Sequence, residues 1–152
     1  MNSRFRFRAW HVKDGRMEYA AHLPGGEVNS IVLDLDGDAL LLEENRIEDT
    51  AKVRSFWHED IVIMQSTGLL DKHGKLIFEG DVVRWSDGDY KHPSNPRVAE
   101  VRFDPELCFF AFNVGESGHK FGFSNFIYKD TEKHLEVIGN VHENPELLTH
   151  LK

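Results

Sequence analysis

Residues 61–85 read IVIMQSTGLLDKHGKLIFEGDVVRW and predict three consecutive β-strands separated by two turns. Ile61–Met64 is an apolar, mostly β-branched run, which is the composition of a buried strand. Asp71-Lys72-His73-Gly74 has the chemistry of a turn, because Asp can bond its own backbone ahead and Gly tolerates positive φ. The chain returns as a strand over Lys75–Phe78, and after a glycine the next strand begins, Asp81–Trp85. This stretch therefore predicts a β-rich fold.

The same stretch resembles the signature of the YopX family of phage and prophage proteins, a pattern close to M-Q-[YF]-T-G-L-x-D-x-N/H-G-x-x-I-[YF]-E-G-D-[IV]-V. The matching residues are Met64, Gln65, Thr67, Gly68, Leu69, Asp71, Gly74, Ile77, Phe78, Glu79, Gly80, Asp81 and Val83. Ser66 stands where the family usually has an aromatic residue. The opening FRFRAW at Phe5–Trp10 and the closing segment Glu136–Leu148 resemble the family as well. The resemblance implies a β-rich fold with an SH3-like barrel, and it brings no established biochemical function.

These observations together predict a mostly β fold with an N-terminal β unit, a small SH3-like β-barrel and a short C-terminal helix. We expect residues 1–60 to form the N-terminal β unit and a connector, and residues 61–152 to form the barrel domain. The closing helix is predicted at Asn144-Pro145-Glu146, because Asn is a good N-cap and Pro suits the first helical position. Glu43–Phe56 is the best internal helix candidate, with an i,i+4 pair of opposite charges.

The composition is that of a globular cytoplasmic protein. The chain has 152 residues, 40% of them hydrophobic, a single cysteine and a formal net charge of −8. No apolar run approaches the ~20 residues that span a bilayer, and the first residues lack the apolar core of a signal peptide. The acidic balance weakens a role in sequence-independent DNA binding, because such proteins neutralise phosphates with an excess of positive charge.

The amino terminus offers one candidate binding surface. Arg4, Arg6 and Arg8 alternate with Phe5 and Phe7, so a strand would present Phe on one face and Arg on the other. As a functional site, the arginines would form a stripe for nucleic-acid phosphates. In an ordinary strand, the arginines would lie on the solvent-exposed face of an antiparallel sheet, and this interpretation is favoured. Ser86–Pro96 is a long irregular loop, which predicts either a second contact site or a solvated connection without a binding role.

The segment IVLDLDGDAL resembles the nucleophile motif of haloacid dehalogenase-type phosphatases, in which Asp34 would attack phosphorus and Asp36 would act as acid and base. The chemistry would require further βα units after this strand, but the turn-rich residues 69–80 leave no room for a parallel crossover. A calcium loop fails on spacing, because the sixth position needs Gly and Gly37 is the fourth. A hairpin turn of Asp and Gly is the favoured interpretation.

Other chemical signals are weak. The nine histidines show no metal-ligand spacing, and nothing predicts a metal or cofactor. Cys108 lies among apolar residues, which predicts a buried, inert thiol. The aromatic residues Phe109, Phe110 and Phe112 are expected in the core, with stacking on nucleic-acid bases as the alternative.

We therefore predict a non-enzymatic accessory protein that acts by binding an unidentified partner. A nucleic-acid-binding module is the alternative, and a small phosphatase-like hydrolase is the second alternative. The chain is also predicted to form a homo-oligomer, because Leu40–Leu42, Phe121–Tyr128 and Leu147–Leu151 are more apolar than one small core requires.

Overall fold

The protein is represented by a computed structural model, which describes residues 6–19, 21–22, 27–33, 39–45, 50–56, 59–85, 97–106, 108–114, 119–122 and 134–151. The fold is mostly β, as the sequence predicts, and the chain divides into two compact units, Phe5–Gln65 and Ser66–Lys152. No helix among these residues has the length and apolar character needed to cross a membrane.

The described residues form thirteen strands and one 3-10 helix. The strands are β1 (Phe7–His11), β2 (Arg16–Tyr19), β3 (Ala21–His22), β4 (Glu27–Leu33), β5 (Ala39–Asn45), β6 (Thr50–Phe56), β7 (Ile61–Leu70), β8 (Leu76–Phe78), β9 (Asp81–Trp85), β10 (Arg97–Asp104), β11 (Phe109–Val114), β12 (His119–Gly122) and β13 (Glu136–Asn140). The helix is Pro145–Leu151.

The first unit contains two sets of antiparallel strands. β1 pairs with β2 on one side and with the first five residues of β7 on the other. The β1–β2 turn closes where the Gly15 N–H donates to the carbonyl of His11 at 2.9 Å, with Gly15 at φ 60. β3, β4, β5 and β6 form a separate antiparallel sheet in chain order.

The helix candidate over Glu43–Phe56, which we assigned to the connector, consists of strands in its described residues. The described residues of this stretch belong to β5 and β6, whose seven-residue ladder runs from Ala39 opposite Phe56 to Asn45 opposite Thr50. The ladder supplies backbone hydrogen bonds along both strands, and together these outweigh one favourable i,i+4 charge pair worth about 0.2–0.5 kcal/mol.

The second unit is built on a five-stranded sheet in the order β12-β11-β10-β9-β13, which curls into a half-barrel. Its inner side chains form one core, in which the rings of Trp85 and Phe112 lie 5.8 Å apart. The buried members are Ile77, Val83, Trp85, Ala99, Val101, Phe112 and Leu135. Because β9 lies between β10 and β13 in the sheet, its Val83 is fully enclosed.

β7 continues across the boundary between the units, and its second half pairs with β8. The β7–β8 register shifts between Ser66 and Leu70, and Gly68 has a φ of 81 inside the shift. The Gly68 N–H donates to Ser66 Oγ at 3.0 Å, and Thr67 Oγ1 donates to the Ile77 carbonyl at 2.9 Å. The Ser-Thr-Gly sequence thus forms a β-bulge in which hydroxyl groups replace part of the ladder.

The Phe78–Asp81 turn explains the Glu-Gly-Asp part of the signature. Asp81 Oδ2 accepts the Phe78 N–H at 2.8 Å and closes the turn. Gly80 adopts φ 77, its N–H donates to the Val101 carbonyl, and its carbonyl accepts the Val141 N–H. One glycine therefore links this turn to β10 and to the residue that follows β13.

The closing helix, Pro145–Leu151, is a 3-10 helix rather than an α-helix. Asn140 Oδ1 accepts the N–H groups of His142 and Glu143, at 3.0 and 2.9 Å. The Asn144 N–H donates to the Asn140 carbonyl, and the Leu147 N–H donates to the Asn144 carbonyl at 3.1 Å. This last bond spans three residues, which is the spacing of a 3-10 turn.

Candidate interaction site

Asp71 lies in the predicted turn, and its carboxylate accepts three backbone hydrogen bonds. Its Oδ1 accepts the backbone N–H groups of His73 and Lys75, each at 2.8 Å, and its Oδ2 accepts the Val137 N–H at 3.1 Å. The carboxyl group is buried, which by itself raises its pKa, but the donors at Lys75, Val137 and His73 outweigh burial and lower the pKa from its usual value. Asp71 is therefore an anionic anchor between the turn and β13.

Glu136 is the central residue of a charged cluster that also contains Lys72, His73 and Arg84. Its Oε2 accepts Arg84 Nη2 at 2.7 Å and Lys72 Nζ at 2.9 Å, and its Oε1 lies 3.8 Å from His73 Nε2. The bond from Arg84, followed by that from Lys72, lowers the pKa of Glu136 to about 2. Because a general acid or base works best with a pKa near the operating pH, this carboxylate is unsuited to proton transfer at neutral pH.

Metal-binding geometry is also missing from the described part of the chain. No group of three or more His, Cys, Asp or Glu side chains there converges as a set of metal ligands. Asp71, Asp81 and Asn140 each accept backbone N–H groups through their side-chain oxygens. They position the strands of the half-barrel.

The end of the β10–β11 hairpin is the strongest candidate for binding. We call it the aromatic hairpin end, and it comprises Phe103, Asp104, Pro105, Glu106, Phe109 and Phe110. Phe103 is 45% exposed and Phe109 is 38% exposed, whereas Phe110 packs partly against the core. The Phe103 and Phe110 rings meet edge to face, with centroids 5.5 Å apart. Two large apolar side chains thus remain in contact with water at the tip of one hairpin.

The surroundings of these rings are acidic. Glu79 Oε1 accepts the Phe103 N–H at 3.4 Å, and Asp104 Oδ1 accepts the Glu106 N–H at 3.0 Å. The nearest cation in the hairpin is Arg102, whose Nε lies 2.8 Å from Glu100 Oε1. That bond raises the pKa of Arg102, and the charge of Glu79 adds to the effect. The geometry therefore combines exposed aromatic surface with negative charge.

The amino-terminal arginines do not form an exposed stripe across the described residues. Arg6 is exposed, but Arg8 in β1 is only 1% exposed, and Arg4 lies outside the described residues. The expectation that Arg8 faces water is wrong. Strands pair with β1 on both sides, and Ala9 and His11 are buried there as well, so both faces of β1 are covered.

Cys108 and Phe109 were expected in the interior, and both are exposed. Cys108 occupies the turn before β11 with a φ of 54, and its Sγ lies 3.6 Å from the Pro105 carbonyl oxygen. The signal for this placement is the adjacent Asp104-Pro105-Glu106 turn. Residues that immediately follow a hairpin turn lie beyond the end of the core, whatever their hydropathy.

Several candidate residues lie outside the described residues, namely Asp34, Asp36 and the loop 86–96. Of the apolar segments that predicted oligomerisation, Leu40–Leu42 lies in β5, and Phe121 lies in β12. The rest of Phe121–Tyr128 lies outside the description apart from Gly122. In the closing helix, Leu147 and Leu148 are half-buried.

Comparison with known proteins finds a family and a similar solved structure. The family model described as YopX protein matches residues 6–149. The crystal structure of protein EF1440 from Enterococcus faecalis is similar, with a TM-score of 0.52 and 29% identity over 94% of this chain and 96% of that chain. No curated protein matches.

Proposed function

The chain belongs to the YopX family, and we propose that it is a non-enzymatic interaction module encoded by a phage or prophage and acting in the cytoplasm of the host. Protein EF1440, whose structure it resembles, is named without a biochemical role. The proposal therefore depends on the site itself. Its phage or prophage origin is supported by the family signature in residues 64–83.

The observation that carries the proposal is the exposure of Phe103 and Phe109 on a hairpin whose strands are otherwise well packed. The two rings lie on opposite faces of the hairpin end, and large exposed apolar side chains beside polar residues are candidates for interaction sites. Phe is also enriched in the cores of protein interfaces. The Phe103 ring is held against Phe110, so it is presented with restricted freedom and loses less entropy on binding.

The non-enzymatic part of the proposal is supported by the use of the polar groups. Asp71 and Glu136 have lowered pKa values and are engaged by backbone donors and by cations, respectively. Catalytic acids and bases in clefts tend to have pKa values shifted toward the working pH, which is the opposite direction for a carboxyl group.

A capture experiment tests the proposal. The immobilised protein is incubated with lysate from phage-infected cells, with and without nuclease, in parallel with the double variant Phe103→Ser/Phe109→Ser. The matched control is Tyr19→Ser, because Tyr19 is 44% exposed and lies in the other unit. Circular dichroism melting shows that each variant is folded.

We expect a protein retained by the wild type and by the Tyr19 variant, lost with the hairpin variant, and unaffected by nuclease. Retention that nuclease abolishes would support the nucleic-acid alternative and contradict the proposal. Retention that both Phe substitutions leave unchanged would remove the hairpin from it. The hydrolase alternative is tested with an aryl phosphate and magnesium, where turnover abolished by Asp34→Asn would overturn the non-enzymatic assignment.

A further inference from the structure

We propose that one face of the sheet formed by β2, β1 and the first half of β7 is an interface between two copies of this chain. We call it the Trp10 face, and it comprises Trp10, Val12, Met17, Tyr19 and Val62. It lies in the Phe5–Gln65 unit, whereas the aromatic hairpin end lies in the other unit. The proposal therefore concerns a second surface and goes beyond the proposed function.

Three of these residues form one row across the sheet. Trp10 lies opposite Met17 in the β1–β2 ladder and opposite Val62 in the β1–β7 ladder. Directly opposed residues of antiparallel strands place their side chains on the same face. Tyr19 is two residues beyond Met17 in β2, so it belongs to that face as well. Val12 continues the pairing past the end of β1, because its N–H donates to the Asp60 carbonyl at 2.9 Å.

This face is covered at one end and open at the other. Val62 is 39% exposed and Val12 is 51% exposed, whereas Trp10 is half-buried. Farther along the same face, Arg8 lies opposite Met64, and both are buried. The cover of this face therefore ends beyond Arg8, and the apolar residues nearest the β1–β2 turn meet water.

The open part of the face has the composition of an interface core. Arg16 and Glu18 alternate with Met17 and Tyr19 in β2, so these two charged side chains lie on the opposite face. Among the described residues of the three strands, the open part thus carries no charged side chain. Trp, Tyr and Met are enriched in protein interfaces, and charged residues are depleted at their centres. Trp and Tyr are also frequent among the residues that dominate binding energy.

The charge around this face identifies a second copy as the occupant. The described residues 6–19 and 59–65 contain four basic and four acidic side chains, so their formal net charge is zero, although the whole chain carries −8. Two copies of an acidic chain repel each other on average, and this repulsion is weakest where the local charges cancel. Nucleic acid is disfavoured, because the cation on this face, Arg8, is buried and cannot reach phosphates.

The arrangement of the row is self-complementary. Met17 and Val62 flank Trp10 on its two sides. A two-fold axis that passes over Trp10 therefore brings Trp10 onto its equivalent in the second copy. It brings Val62 onto either Met17 or Val62 of that copy, and apolar side chains meet in both cases. Such an isologous contact is the commonest closed arrangement of identical chains.

The test compares Val62→Asp with Leu70→Asp by sedimentation velocity over a wide range of protein concentration. Leu70 is a matched control, because both residues lie in β7 and their exposed fractions are 39% and 40%, but Leu70 belongs to the other unit. Val62→Ser removes the apolar contact without adding a charge. Circular dichroism melting shows that each variant is folded.

We expect a wild-type dimer whose affinity falls at least about tenfold in Val62→Asp, because a carboxylate buried between apolar faces has no partner. Val62→Ser should weaken the dimer less. Leu70→Asp and the double variant Phe103→Ser/Phe109→Ser should dimerise as the wild type does. Added salt should strengthen the dimer, since it screens the repulsion between two acidic chains and leaves apolar contacts in place.

Amide NMR signals of the 15N-labelled protein locate the contact independently. Dilution should shift the signals of β1, β2 and residues 61–65, and it should leave those of β9 and β10 unchanged. A monomer at every concentration overturns the inference. So does a dimer that Val62→Asp and Leu70→Asp weaken equally. A dimer that survives in Val62→Asp and is lost in Leu148→Ser or in the hairpin double variant places the contact elsewhere and overturns it too.

Discussion

The carboxylate of Asp71 accepts the backbone N–H of Val137 at 3.1 Å, across 66 residues of sequence. The adjacent Lys72 N–H donates to the Leu135 carbonyl at 2.8 Å. The turn thus bonds the start of β13 through both a side chain and the backbone, and the stability of this unit should depend on Asp71.

Asp71→Asn is expected to lower the free energy of unfolding by about 1–3 kcal/mol. An amide has one acceptor oxygen where the carboxylate has two, so its NH₂ group would face a buried backbone donor. Urea denaturation followed by circular dichroism measures the change. Glu106→Gln is the matched control, because Glu106 is exposed in the same unit. Equal midpoints for the two variants would contradict the assigned role.

Stability should fall in acid. Backbone donors lower the pKa of Asp71, and the bonds from Arg84 and Lys72 lower the pKa of Glu136 from 4.5 to about 2. A group whose pKa is lowered by folding stabilises the protein above its unfolded pKa and loses that contribution as the pH falls toward the folded value. The decrease is therefore expected between pH 4.5 and about 2.

Urea midpoints measured across this pH range test the expectation, with Glu136→Gln as the comparison. The variant lacks one titrating carboxyl group, so its midpoint should depend less steeply on pH than that of the wild type. A wild-type midpoint that stays constant from neutral pH down to pH 2 would show that neither carboxylate is linked to folding.

Gly139→Ala should destabilise the end of β13. A Cβ at this position would lie 2.5 Å from Asn144 Oδ1 and 2.7 Å from Leu147 Cδ1, which is inside van der Waals contact. We expect a loss of about 1–3 kcal/mol, the usual cost of overpacking. The comparison is Gly74→Asn, where nothing lies within 4 Å and the residue type tolerates a φ of +78. Urea denaturation should rank Gly139→Ala as the less stable variant, and the reverse order would refute the steric argument.

The amino-terminal arginines should separate into two classes. Arg8→Ala is expected to lower stability by about 1–3 kcal/mol, because it removes a fully buried side chain. Arg6→Ala should change stability by less than about 0.5 kcal/mol, since Arg6 is exposed.

The same arginines are the predicted residues for nucleic-acid binding. Binding by Arg4, Arg6 and Arg8 stays a prediction, and it should be weak because the chain carries a net charge of −8. Titration of labelled DNA and RNA at two salt concentrations measures it. Tight binding that is insensitive to salt, or that survives replacement of the arginines by alanine, would contradict the prediction.

Self-association also stays a prediction. We expect light scattering coupled to size exclusion to give a multiple of the chain mass, with a symmetric dimer as the commonest closed form. The half-buried Leu147 and Leu148 of the closing helix are candidates for the contact. The variant Leu148→Ser should then shift the mass toward the monomer. A single monomeric species across a wide concentration range would refute the prediction.

Strand and turn positions in residues 61–85 follow from local chemistry and were predictable. The spacing of Asp71 and Gly74 favours a turn, because an Asp side chain bonds the backbone just ahead of it and Gly accepts positive φ. The family signature added the expectation of a small SH3-like barrel, and the structure has a sheet that curls into a half-barrel. The error at Glu43–Phe56 arose from a weak local signal, which the β5–β6 ladder overrides with backbone pairing.

The candidate site was not predictable in the same way. Exposure of Phe109 and Cys108, and burial of Arg8, depend on where each strand ends and on what covers its faces. The bonds from Asp71 to Val137 and from Arg84 to Glu136 join residues 66 and 52 positions apart. Local propensities act over a few residues, whereas contacts of this range exist only after the strands have paired. The residue order thus predicted the family and the turns and strands of residues 61–85, whereas the Asp71 and Glu136 bonds and the exposed rings depend on the tertiary structure.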